Sequence, residues 1–188
     1  MKSMAVRALV GAAAVFAVVA ATPGAHAQQL SDRSIRTLMG YAFDIMPSKF
    51  TTRTNKVIEV DKSKPKEVLV PIDTARAVVQ VGQLSALAQI CNLPNAQRAN
   101  FRSLMRIERK NNGWTDKQLL YISQLHFTTL AWFTDQLEVS AIGDQKRVGL
   151  KKESKGKKST CTDTEREKVK QRIIQYVVST GGKIRKAE

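Results

Sequence analysis

WTDKQLLYISQLHFTTLAWF, residues 114–133, is the stretch on which the fold turns. It opens with a helix start. Thr115-Asp116-Lys117-Gln118 fits a capping box, in which the threonine hydroxyl accepts the backbone N–H of Gln118 and the glutamine side chain reaches back. Trp114 and Leu119 occupy the two hydrophobic-staple positions around it. Ile122, His126, Leu130 and Phe133 then continue along one helical face. An amphipathic helix of this length must bury that face against other helices, so the neighbouring segments are read for partners.

Upstream, Pro94 sits in a first turn, where its missing N–H matters little, and a helix is predicted from there to about Lys110. Asn111-Asn112-Gly113 closes it as a left-handed cap. Asp73 is the expected N-cap of a helix running to about Cys91, with Ala75, Val78, Val79, Gly82, Ala86 and Ile90 inward and Leu87 at the edge. Gly82 and Ala86 are small enough to admit another helix closely. Another helix is predicted over about Asp32 to Met46, through Ile35, Leu38, Met39, Ala42 and Ile45, and Pro47 ends it. Between these, Lys56–Val60 and Glu67–Val70 are short β-branched runs around a lysine-rich turn, the pattern of a β-hairpin. Downstream, Thr162-Asp163-Thr164-Glu165 is a second capping box, opening a helix with Val169, Ile173, Tyr176 and Val177 on one face and Gly181-Gly182 after it. Lys183–Glu188 is expected to fray. The fold class expected is mainly α, a compact bundle of about five helices with one β-hairpin and one disulfide.

Met1–Ala27 has the three parts of a cleavable export signal: Lys2 and Arg7, the apolar run Ala8–Ala21, and Ala25-His26-Ala27 after the helix breakers Pro23 and Gly24. An uncleaved anchor is the rival reading, but a span needs roughly 20 apolar residues and this run is shorter. Cleavage after Ala27 leaves residues 28–188 as a single domain, expected in the periplasm with no transmembrane span. The whole chain carries 31 basic and 16 acidic side chains, a net charge of +15. Removing Lys2 and Arg7 leaves 29 against 16, a surplus of 13 that draws the protein towards anionic surfaces. In an oxidising compartment the two cysteines, Cys91 and Cys161, are expected to pair. A metal site is excluded by ligand count, since residues 28–188 hold one histidine, His126, and no C-x-x-C. No cofactor is expected: P-loop, dinucleotide, G-x-S-x-G and H-E-x-x-H patterns are missing from the sequence.

Four constellations are candidate sites. Arg98, Arg102, Arg106 and Arg109, spaced four, four and three apart, fall on a helical stripe about 80° wide beside Phe101, Leu104 and Met105. Such a row of forked donors can hold phosphate or carboxylate; the alternative is a solvated face with local ion pairs, for example to Glu108. Residues 146–158 hold seven lysines and arginines against Glu153, with Lys151, Lys152, Lys155, Lys157 and Lys158 as further anion-binding candidates. No core face can be drawn through about 136–160, so a basic flexible loop is expected there. The loop has no aromatic residue, and so no stacking platform for single-stranded nucleic acid. His126, with Glu108, Asp116, Gln118 and Tyr121, is a general-base candidate, but its place between Ile122 and Leu130 suits a core histidine. Trp114, Tyr121, Trp132 and Phe133 form either a ligand patch or packing against the first helix or the hairpin.

Cys91-Asn92-Leu93-Pro94, Phe101, Leu104-Met105, Glu108, Trp114, Gln118, Tyr121-Ile122 and Leu125-His126 form a pattern that resembles small exported periplasmic proteins of alphaproteobacteria of no known function. The resemblance extends over Val57–Val70 and Cys161-Thr162, most of the chain after Ala27. It implies periplasmic location and the cysteine pairing, and assigns no catalytic or binding residue. The function expected is a non-enzymatic periplasmic binding or interaction protein. Its basic surface would engage anionic lipid, lipopolysaccharide or an acidic protein, with no specific nucleic acid. The alternatives are a periplasmic chaperone or stress protein, and a small hydrolase around His126.

Overall fold

The computed structural model describes residues 30–111, 113–142, 145–150 and 161–182. The export segment and the C-terminal tail expected from the sequence lie outside them. Five helices form the body. Helix α1 (Asp32–Asp44) starts at Ser31, whose hydroxyl accepts the Ser34 N–H, and buries Ile35, Leu38 and Ala42. Met46 is buried just beyond its end, before Pro47.

The expected hairpin has a different partner. Strand β2 (Val57–Glu59) pairs antiparallel with β1 (Lys49–Thr51), putting Phe50 opposite Ile58. Asn55, with φ of 59°, turns the chain between them, a left-handed conformation that asparagine tolerates. The run Glu67–Val70 is no strand. Pro65 opens a short 3₁₀ turn over Pro65–Glu67, and its carbonyl accepts the N–H groups of both Val68 and Leu69. Val68 and Val70 are buried, so their alternation records burial in the core rather than pairing.

Helix α2 (Ile72–Ile90) begins after Pro71 with no side-chain cap. Asp73 is not its N-cap but an acid of its first turn, where it meets the positive end of the helix dipole. Ala75, Val78, Val79, Val81, Gly82, Ser85, Ala86 and Ala88 are all buried, covering about half of its circumference, as befits a central helix. It packs against α1, α3 (Pro94–Asn111), α4 (Asp116–Phe133) and α5 (Asp163–Ser179). The closest approach is at Gly82. A Cβ there would lie 2.7 Å from Thr129 Cβ and 3.2 Å from the His126 carbonyl oxygen of α4. Ala86, the other small residue of that face, is buried beside it.

Both capping boxes are formed, Thr115 with Gln118 on α4 and Thr162 with Glu165 on α5. Trp114 and Leu119 pack on the main core. Gly113, with φ of 59°, follows α3, while Asn112 lies outside the described residues. Helix α5 ends in a Schellman motif: Gly181 has φ of 71° and its N–H bonds the Val178 carbonyl, while Gly182 N–H bonds that of Val177 at 2.7 Å. The same motif ends α2 at Asn92 and α4 at Asp135, both in the left-handed region.

After α4 the chain differs from the basic loop expected over 136–160. Strands β3 (Leu137–Ile142) and β4 (Gln145–Leu150) pair antiparallel from Leu137 opposite Leu150 to Ile142 opposite Gln145. Leu137 is buried, and the pair touches α1 and α4. Residues 151–160 lie outside the described ones.

Two apolar clusters share α2. The larger gathers Ile35, Leu38, Val60, Val68, Val78, Val79, Leu104, Tyr121, Ile122 and Leu125. The smaller holds Ala88, Cys91, Val169, Ile173 and Val177 and fastens α5 to the body. Cys91 and Cys161 are joined by a disulfide, with Cα atoms 5.0 Å apart. It ties the last residue of α2's turn to the approach of α5, at the edge of the smaller cluster. The fold is thus a mainly helical bundle with a disulfide. Among the described residues no helix is long and apolar enough to cross a membrane.

Candidate functional site

Helix α3 sets the arginine face. Its Asn100, Ser103, Leu104 and Met105 are buried, which turns Arg98, Arg102, Arg106 and Arg109 to solvent. Arg98 donates from Nη2 to Asn95 Oδ1 at 2.9 Å and from Nε to the Pro94 carbonyl at 3.3 Å. Among the described residues no carboxylate pairs with any of the four. Glu108 does not neutralise the stripe. It is 6% exposed, about 115° around the helix from the mean direction of the arginines, and its Oε2 accepts from Trp114 Nε1 at 2.8 Å. Burial, with the nearby Glu108 charge second, pushes the Tyr176 hydroxyl up to about 12.

Beside this stripe lies a groove of about 480 Å³ between α3, α4 and β1. Phe101 and Arg98 line it from α3, Leu120, Phe127 and Leu130 from α4, and Phe50 from β1. Phe50 and Phe127 are 40% and 44% exposed, so two aromatic rings from separate elements meet water in one concavity. A second cleft, about 550 Å³, lies where β2 meets the start of α4. Four of the charged side chains there are paired with each other: Lys56 with Asp116, and Lys117 with Glu67 at 2.7 Å. That lysine holds the Glu67 carboxyl below its usual range. The arginine-edged groove has no such internal neutralisation among the residues described.

His126 lies at the floor of the groove, buried, with its ring tilted against Phe101 at 4.8 Å between centroids. Its Nε2 is 2.9 Å from Ser85 Oγ, and Ser85 Oγ is 2.9 Å from Asn100 Nδ2. Asn100 Nδ2 also donates to the Val81 carbonyl at 2.9 Å, which fixes the amide orientation because a carbonyl only accepts. Ser85 Oγ accepts from Asn100 Nδ2, and Nε2 is the acceptor within reach of its own proton among the described residues, an arrangement that suits a neutral ring protonated at Nδ1. Burial lowers the His126 pKa to about 4. A base that weak, facing a serine that is 0% exposed, makes a poor nucleophile pair. The three side chains instead join α2, α3 and α4. Glu108, Asp116, Gln118 and Tyr121 do not converge on His126. Asp116 pairs with Lys56, Gln118 closes the capping box, and Tyr121 donates to the Met39 carbonyl at 3.0 Å.

The aromatic set divides. Trp114 and Tyr121 pack into the core, and Trp132 tilts against Tyr41 of α1 with centroids 5.9 Å apart. Phe133 is 37% exposed at the helix end. Lys151, Lys152, Lys155, Lys157 and Lys158 lie outside the described residues. Among those described, no three His, Cys, Asp or Glu side chains gather as metal ligands.

Sequence reasoning passed over the groove and the buried polar chain, although both left a trace. Leu120 and Phe127, seven apart and flanked by Ser123 and Gln124, are apolar residues on the polar side of their helix. Ser85 and Asn100 are polar residues inside otherwise apolar faces, which marks them as needing a buried partner. No known protein family, curated protein or solved structure matches the chain.

Proposed function

We propose that the protein is an exported, non-enzymatic binding protein of the periplasm, akin to the small proteins it resembles, that engages an anionic envelope component through the arginine face of α3. The observation that carries this is the exposure of Arg98, Arg102, Arg106 and Arg109 on one side of α3 with no carboxylate partner among the described residues. A solvated structural face would ordinarily interleave acids, as the start of α5 does with Asp163, Glu165 and Glu167. The net charge of +15 adds long-range attraction to the same class of target.

Each arginine at an anionic surface contributes about 1 kcal/mol. Replacing all four with alanine should therefore weaken binding to phosphatidylglycerol vesicles by at least about a hundredfold. Wild-type binding should weaken steeply as salt rises from 50 to 300 mM, over which the Debye length falls from about 14 to about 6 Å. Cosedimentation measures both. Binding that ignores salt, or that survives the fourfold substitution intact, refutes the proposal.

A further inference from the structure

The groove beside the arginine face narrows the ligand further, on the strength of the function just proposed. We infer that it holds a single-chain carboxylate amphiphile, a free long-chain fatty acid, with the chain along Phe50, Phe101, Leu120 and Phe127 and the carboxylate on Arg98.

The apolar side is supplied by separate elements. Phe127 and Leu120 come from α4, Phe101 from α3 and Phe50 from β1, and all line one concavity. Leaving Phe50 and Phe127 40% and 44% exposed costs burial that their own fold does not recover. Seated on them, an acyl chain recovers it. The volume, about 480 Å³, falls in the lower part of the range for small-ligand sites and suits one chain rather than two.

Charge selects the headgroup. Arg98 is the one charged side chain in the described lining, which otherwise offers the neutral groups of Gln97, Ser123, Gln124 and His126. Its fork of N–H donors matches the two oxygens of a carboxylate, and its present partners, Asn95 Oδ1 and the Pro94 carbonyl, are both uncharged. A cationic headgroup would meet a like charge there. The floor stays compatible with a chain because His126 is buried, with its Nε2 already paired with Ser85. A diacyl lipid surface, by contrast, would spread over the whole arginine stripe and leave the groove unused.

The test titrates the full chain with palmitate and with hexadecyltrimethylammonium, both below their micelle concentrations, by calorimetry. Palmitate should bind saturably at one site per chain, at least about tenfold tighter than the cation of equal chain length. Arg98→Gln should weaken palmitate about tenfold and leave the cation no weaker. Phe127→Ser should weaken both ligands, with only a modest drop in the unfolding midpoint because the ring is already 44% exposed. Should that variant unfold, Arg98→Gln alone decides, since its side chain is on the surface. The inference is overturned by absent saturation, by equal affinity for the cation, or by an unaffected Arg98→Gln. It is also overturned if sedimentation shows a dimer that Phe127→Ser dissociates, for then a second copy covers the groove. Vesicle binding that persists while palmitate fails sinks this inference alone; loss of both sinks the proposed function with it.

Discussion

The chain of hydrogen bonds from Asn100 through Ser85 to His126 makes the protein sensitive to acid in a defined window. In the folded protein the His126 pKa is lowered from 6.5 to about 4 by burial. The unfolded chain, whose histidine keeps its ordinary value, therefore takes up the proton first as pH falls. Stability is at its full value above pH 6.5, declines below that, and has lost the whole contribution once pH passes through about 4. The difference corresponds to about 3 kcal/mol, most of it gone by pH 4.5. The local chemistry agrees in sign. A proton on Nε2 turns the acceptor of the Ser85 hydroxyl into a donor, so Ser85 is left with a proton and no acceptor at 0% exposure. The groups that face the ring, Ser85 of α2 and Phe101 of α3, carry no charge, so burial alone sets the shift. The carboxylates with lowered pKa, Asp61, Glu67, Glu165 and Glu167, have ordinary values of 3.8 to 4.5, so they begin to lose their contributions as pH falls towards 4.5, in wild type and His126 variants alike. Urea unfolding of wild type and His126→Gln at pH 7.5, 6.5, 5.5 and 4.5 isolates the histidine as the difference between the two profiles. The wild type should lose about 2.5 kcal/mol more than His126→Gln across the series. A wild-type profile that is flat, or a variant that keeps the slope, refutes the argument. So does an imidazole resonance titrating near 6.5.

Two further perturbations test the packing. Gly82→Ala gains up to about 1 kcal/mol of helix propensity, yet its Cβ would meet Thr129 Cβ at 2.7 Å. Both atoms are fixed to helix backbone, so α2 and α4 must separate; a net loss of about 1–3 kcal/mol in thermal or urea unfolding is expected, and a stabilised variant would contradict the close approach. Replacing Cys91 and Cys161 together by serine opens a loop with a sequence separation of 70 and should lower stability by about 4 kcal/mol. Hydrogen exchange should quicken in α5 more than in α2 or α4, and uniform quickening would show that the bond does not act through α5.

How far the fold was legible depended on whether the controlling interaction was local. Thr115 and Gln118, or Thr162 and Glu165, meet within three residues, and both capping boxes stood in the sequence as they stand in the structure. The cysteine pair was legible because two residues leave one pairing. The partner of β2 was not. The β-branched runs on either side of Lys62 look alike, and what separates them is whether Val68 faces a strand or the core. The strand actually used, Lys49-Phe50-Thr51, has the expected aromatic and β-branched residues and a turn ending in Asn55, but follows Pro47 so closely that it reads as a linker. In β3 and β4 the lysines and arginines conceal a hairpin signal: Gly143-Asp144 stands between Leu137–Ile142 and Gln145–Leu150, two runs of equal length. High charge content there accompanies a paired hairpin rather than a loop. The groove was hidden for a different reason. It needs α3, α4 and β1 together, and no single periodicity contains all three.

The buried polar chain also explains why the arginine face points where it does. Asn100 lies about 165° around α3 from the mean direction of Arg98, Arg102, Arg106 and Arg109. Its amide is held by two partners on α2, the Val81 carbonyl and Ser85 Oγ, each at 2.9 Å. An apolar residue there would tolerate small rotations of α3, because apolar contacts have no direction. A buried amide does not, since turning it away leaves donors unpaired at about 1–3 kcal/mol each. Rotation of the helix is thereby fixed, and with it the exposure of all four guanidinium groups. Ser85 links the same anchor to His126 of α4, and the His126 ring packs on Phe101 one turn from Arg98. One three-residue chain therefore sets two relations at once: which side of α3 meets solvent, and how far the arginine edge stands from the apolar wall of α4. A groove that reads a charge and a chain together depends on that separation. This gives the orientation of the arginine face a physical source, and places the residues on which it depends beneath the surface, at Ser85 and Asn100, rather than among the arginines themselves.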